Sequence, residues 1–281
     1  MTDLKPAIEF LSVSCSHLEA SKLLNENKFY PQSIYFLQQS VEMASKSYSL
    51  FSNDLKEEEL KTKINHKSQT AFKRIYQNSH NAFKEEWENI QKKFPNIDIE
   101  KLEFYEYIQT TLKAGENLDE HFESENKNYD NLSESLLELE NIIQEVTKEE
   151  TLSLLENIDE VELKKVFEKI RNFITQFTNE TISKELIQEL EKIPLNVFKG
   201  HIRSVYAIVS FNFVASTILL KLSNHLSHLN FSTRYPNTKL KHNPILTFNS
   251  NHPLVTSFGR IYKLIGQAQY CLGNIYEISN P

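Results

Sequence analysis

Glycine, proline and cysteine are all scarce in this 281-residue chain, at five, eight and two. So few turn-forming residues exclude an architecture of many short strands and tight turns. Two cysteines exclude a disulfide framework. Cys15 and Cys271 fall on helical stripes near opposite ends and read as ordinary buried thiols of a reducing compartment. The N-terminus, MTDLKPAIEF, has no basic segment leading into an apolar core, so no secretory signal is expected and the location reads as cytoplasmic. Also missing are a P-loop, G-x-G-x-x-G, H-E-x-x-H and paired C-x-x-C, so no cofactor and no metal are expected. Glu57–Glu59 and Glu149-Glu150 read as solvated charge runs rather than acid/base pairs.

Charge is unevenly spread. The net value is −7, yet residues 116–162 alone hold 16 Asp/Glu against two Lys. The remainder is therefore mildly basic, which permits nucleic-acid binding there and discourages it in the acidic stretch.

What the chain has is helical periodicity. From Pro31 to Phe51 the apolar positions are Ile34, Leu37, Val41, Ala44, Tyr48 and Phe51, at alternating steps of three and four. Pro31 suits a first helical turn. Glu42 and Lys46 stand four apart, off that stripe and in the favourable order. Ala7, Leu11, Ser14, Leu18 and Ser21 predict a preceding helix whose small serines let it pack closely on the first. Further stripes run through Phe72–Tyr76, Phe83–Phe94, Ile99–Leu112, Leu163–Phe177 and Leu186–Ile193. Leu118 to Val146 keeps heptad spacing and predicts one helix of more than 25 residues with a coiled-coil-like seam. Ser204–Leu220 is uncharged and mostly apolar; at seventeen residues, diluted by Asn212, Ser210, Ser216 and Thr217, it reads as a helix buried on most sides rather than a membrane span. Phe231–Pro253 is a loop, and Val255–Ile278 a last helix. The fold class is all-α.

Several of these segments resemble the HEPN family. The Gln38-Gln39 pair before Val41-Glu42 and Lys46 resembles that family's second helix, and Thr233-Arg234-Tyr235-Pro236-Asn237 resembles its T-R-Y-P-D segment before the last helix. His66 stands where the family often has a histidine opening the third helix. The resemblance covers residues 7–78 and 205–278, about half of the chain. It implies an antiparallel HEPN-like helical bundle interrupted by a long helical insert. The bundle's first part is 1–78, the insert with the acidic heptad helix 79–200, and the second part 201–281, the two parts meeting in space.

Many members of that family are ribonucleases carrying Arg, four to six residues, then His. The arginine holds the phosphate and the histidine moves a proton at the 2′-OH. Arg74 and His80 match with five residues between, but the family usually has a polar residue after the arginine, and here it is Ile75. Six residues apart on one unbroken helix is about 600° of rotation and roughly 9 Å of rise, so the pair would point apart. A helix break at Asn78-Ser79, both cap formers, is expected. Even so, the two side chains are not expected to share a cleft. Lys61, His66, Lys67, Arg234, Lys239 and Lys241 are the nucleic-acid-binding candidates. His225 and His228, three apart, lack a neighbouring carboxylate or thiol and read as ordinary histidines rather than metal ligands.

The resemblance implies a module that binds RNA, a nucleotide or a protein partner in prokaryotic stress response or phage defence, commonly as a homodimer and away from membranes. Two alternatives stand beside it. One is a metal-independent, toxin-like ribonuclease using Arg74 and His80. The other is a structural adaptor that recruits a protein partner through the acidic insert.

Overall fold

The computed structural model describes residues 4–52, 55–60, 68–93, 129, 131–146, 160–177, 180–226, 228–237 and 242–279. Among these residues every regular element is a helix, so the chain is all-α; one isolated antiparallel bridge joins Asn237 and His242. The helices are α1 (Lys5–Glu26), α2 (Tyr30–Phe51), α3 (Glu57–Glu59), α4 (Ser68–Lys93), α5 (Leu132–Val146) and α6 (Glu160–Phe177), then α7 (Glu180–Glu191) and α8 (Leu195–Leu226). Three single turns follow, α9 (Leu229–Ser232), α10 (Pro244–Thr247) and α11 (Pro253–Thr256), and α12 (Phe258–Ser279) ends the described chain.

The chain divides into two compact units, Met1–Asn141 with Phe211–Pro281, and Ile142–Ser210. The first unit joins residues from both ends of the sequence and takes in Leu132–Asn141 of α5. Leu132, Leu136 and Leu139 are buried, and Glu140 receives a two-pronged bond from Arg260 of α12 at 2.9 and 2.8 Å. In the second unit α6 and α7 pack together, Leu163 is buried, and the Phe167 and Phe198 rings meet edge-on at 5.4 Å.

The first unit is built round α2. The turn from α1 is tight, with Lys28 in the left-handed region at φ 63°. The predicted stripe is buried from Ile34 to Tyr48, and the expected approach of α1 occurs through serines. Ser14 Oγ donates to the Ser40 carbonyl at 2.7 Å, and Ser33 Oγ to the Ser21 carbonyl at 2.9 Å. Gln269 of α12 reaches the same junction, its Nε2 2.8 Å from Ser14 Oγ and 3.0 Å from Ser40 Oγ. Small hydroxyl side chains let backbones come close while their polar atoms stay bonded. α4 packs on another side of α2, where the Tyr48 and Phe72 rings stack.

Four expectations need correction. Tyr129 is not helical and α5 begins at Leu132, so no single helix runs from Leu118 to Val146. The Asn131 carbonyl accepts the first-turn N–H of Ser135, and asparagine favours such a start over a helix interior. The last helix starts at Phe258, because the separate turn Pro253–Thr256 precedes it. Cys271 is buried, but Cys15 is exposed. Finally, α8 is not buried on most sides. It is the one helix, among the described residues, long and apolar enough to cross a membrane, and only 33% of its apolar window is buried. Val214, Ala215, Ile218, Leu219 and Leu222 are buried, whereas Val205 and Val209 are each 60% exposed.

Candidate functional site

The polar face of α2 is the most unusual part of the first unit. Glu42 is wholly buried, and Lys46 nearly so. Lys46 Nζ donates to Glu42 Oε1 at 2.8 Å, while the Nε2 atoms of Gln38 and Gln39 each reach Glu42 Oε2 at 3.2 Å. Gln39 Nε2 also donates to Gln38 Oε1 at 2.7 Å. Taking a carboxylate and an ammonium out of water costs several kcal/mol per ion, and only such a set of directed donors offsets it. The Glu42–Lys46 pair is therefore not a rim pair of an amphipathic helix but the centre of a buried network.

The chain between α8 and α12 folds over α2, with α9, α10 and α11 all packing on it. Thr233 is buried, and its hydroxyl donates to the Leu229 carbonyl at 2.8 Å. The Asn237–His242 bridge closes the segment with two backbone bonds of 2.9 Å. His242 spans Ser232 and Thr247: Nε2 lies 2.6 Å from the Ser232 carbonyl and Nδ1 3.2 Å from Thr247 Oγ1. The carbonyl can only accept, so Nε2 carries the proton. His252 Nδ1 accepts the Leu254 N–H at 3.2 Å and so caps α11. Burial among rings, Tyr129 at 5.1 Å and Phe248 at 4.7 Å, pushes the His252 pKa down.

Arg234 joins this segment to α2. Its guanidinium lies over the Tyr35 ring at 4.9 Å and over the Tyr235 ring at 5.0 Å. Tyr35 precedes Glu42 by seven residues, two helical turns, so the stack and the buried network share one side of α2. His17 of α1 packs its ring on Phe36 at 5.4 Å; burial lowers its pKa, and the Glu42 charge pulls it partly back up. Chemically the site offers a planar cation held on aromatic faces, with Tyr235 56% exposed. Such a surface suits stacking and anion binding.

The other candidates are arranged differently. α4 runs unbroken from Ser68 to Lys93, so the expected break at Asn78-Ser79 is absent. Along such a helix Arg74 and His80 stand roughly 9 Å apart in rise and point about 120° apart. Arg74 Nη2 bonds Glu59 Oε1 at 3.3 Å. A cavity of about 390 Å³ lies beside α4, lined by Tyr48, Phe51, Ile75, Asn78 and Asn212 among others, but by neither Arg74 nor His80. Lys61, His66, Lys67, Lys239 and Lys241 lie outside the described residues. His225 is buried and His228 exposed, with His228 Nε2 3.1 Å from the Tyr129 hydroxyl. Among the described residues no three His, Cys, Asp or Glu side chains are grouped to hold a metal.

Tyr35, Gln38 and Gln39 were not legible as site residues. The one available signal was the run of serines at 33, 40, 45, 47 and 49, which marks a helix approached from more sides than its apolar stripe accounts for. Compared with protein-family models, with curated proteins and with solved structures, the chain matches none.

Proposed function

We propose that this chain is a HEPN-like helical module that binds RNA or a nucleotide through the Thr233–Asn237 segment, in a prokaryotic stress or phage-defence setting, in the cytoplasm and as a homodimer. One observation carries the reading. Arg234, in one of the two segments that bear the resemblance, rests on Tyr35, in the helix that bears the other. Stacked arginine and exposed tyrosine are the side chains that take unpaired bases and phosphates. The ribonuclease alternative draws less support, because Arg74 bonds Glu59 and His80 follows on the same unbroken helix. The adaptor alternative is weakened by α5, whose Glu140 is held by Arg260 and whose Glu138 lies 3.9 Å from Lys221.

The test is fluorescence anisotropy with a short single-stranded RNA in EDTA, for the wild type and for Arg234→Ala. Binding should be seen and should weaken roughly tenfold or more in the variant, the scale of a lost stacking and charge contact. No binding, or binding indifferent to Arg234→Ala, overturns the reading. RNA cleavage in EDTA that is lost in His80→Ala would establish the ribonuclease instead.

A further inference from the structure

The outer face of α12 carries opposite charges at equal spacing on either side of a tyrosine. Tyr270 stands at its middle, 62% exposed. Seven residues before it is Lys263 and seven after it Glu277, both exposed. Seven residues is within about 20° of two full turns, so all three share one face, with each charge roughly 10 Å from the tyrosine along the axis. Among the described residues neither Lys263 nor Glu277 is in an ion pair; Lys263 exerts only a through-space pull on Glu140. Beside Tyr270 the face is aromatic, since its ring meets Phe211 edge-on at 6.2 Å.

The same face is low next to the tyrosine. Gly266 precedes it by four residues and Gly273 follows it by three. A Cβ at Gly273 would meet nothing within 4 Å, and one at Gly266 only Leu18 Cδ2 at 3.9 Å. The chain's own packing therefore requires neither glycine, although both weaken the helix relative to alanine.

We infer that a second copy of this chain docks on this face, its α12 crossing the first antiparallel at Tyr270 about a two-fold axis. Self-complementary charge selects that occupant and that direction. Antiparallel pairing sets Lys263 level with the partner's Glu277 and Glu277 level with the partner's Lys263. Parallel pairing would set like charges together. Gly266 and Gly273 leave room for the partner's Tyr270 at the centre, so an aromatic pair is enclosed by charged pairs at the rim. The inference rests on the homodimer part of the proposed function and names its surface; RNA binding does not enter it.

Sedimentation equilibrium over a dilution series tests it on the full chain, with circular dichroism melts as the control for folding. The wild type should dimerise. Lys263→Glu and Glu277→Lys should each raise the dimer Kd roughly tenfold, since each replaces two attractions by two repulsions. The double variant, with the charges exchanged, should return close to the wild-type value. Tyr270→Glu, which sets two carboxylates face to face on the axis, should be monomeric with an unchanged melt. A monomeric wild type overturns this inference and the homodimer reading together. A dimer whose Kd ignores all of these variants overturns this face alone.

Discussion

The hydroxyl of Tyr276 in α12 lies 2.7 Å from Ser47 Oγ near the C-terminal end of α2, across 229 residues of sequence. Ser47 in turn donates to the Ala7 carbonyl at 2.6 Å, so one serine joins three helices. Because Ser47 spends its proton on Ala7, Tyr276 is the donor to Ser47.

Removing that donor should be measurable. Tyr276→Phe keeps the ring on Phe51, at 5.1 Å, and deletes only the bond. The loss expected is about 1 kcal/mol in urea unfolding, with the slope against denaturant unchanged. An equal midpoint for the variant and the wild type would show that the contact adds nothing.

The buried network on α2 predicts a larger and asymmetric effect. Glu42→Ala leaves the Lys46 ammonium enclosed without its carboxylate and should cost about 3–5 kcal/mol. Adding Lys46→Met removes the stranded charge and should recover much of that loss. A single variant as stable as the wild type would mean that water reaches Lys46 freely.

Two histidines tie stability to pH. His252 and His17 both have pKa values held below the ordinary 6.5, in each case chiefly by burial. The folded state thus prefers them neutral. Their contribution is complete above about pH 6.5 and falls away as pH drops through the lower folded values. Urea midpoints should therefore decline on acidification from pH 7. His252→Asn keeps an acceptor for the Leu254 N–H and cannot titrate, so it should flatten part of that decline. A steeper decline in the variant would contradict the assignment.

The two thiols should separate cleanly. Cys15 is exposed, while Cys271 is buried, with its pKa pushed up to about 12 by burial. A disulfide reagent at neutral pH should label one thiol promptly and the second only on unfolding. Two fast thiols would place α12 away from the core described for it.

The sequence was most readable where burial follows from apolar spacing alone. Ile34, Leu37, Val41, Ala44 and Tyr48 announce one face of α2, and all five are buried. The opposite face was illegible, because Glu42 and Lys46 have the same i, i+4 spacing whether water or protein surrounds them. What decides is the covering segment between α8 and α12, distant in sequence and without periodicity of its own. The missing break in α4 has a related cause. Asn78 and Ser79 favour caps, but Phe72, Ile75 and Trp87 are buried on both sides of them along the helix, and that burial outweighs two local preferences. Arg234 was legible as a cation in a loop beside Tyr235; its stacking on Tyr35 was not, since Tyr35 is 199 residues away.

The junction at Ser47 sets a timetable for synthesis. α1 and α2 leave the ribosome before Gln269 and Tyr276, which complete the Ser14–Ser40 and Ser47 contacts from 229 residues further along the chain. At ordinary elongation rates the interval is roughly 10–45 s. For that time the nascent hairpin carries its serine-lined groove and its Glu42–Lys46 pair uncovered, and a chain halted before α12 would present both to chaperones and proteases.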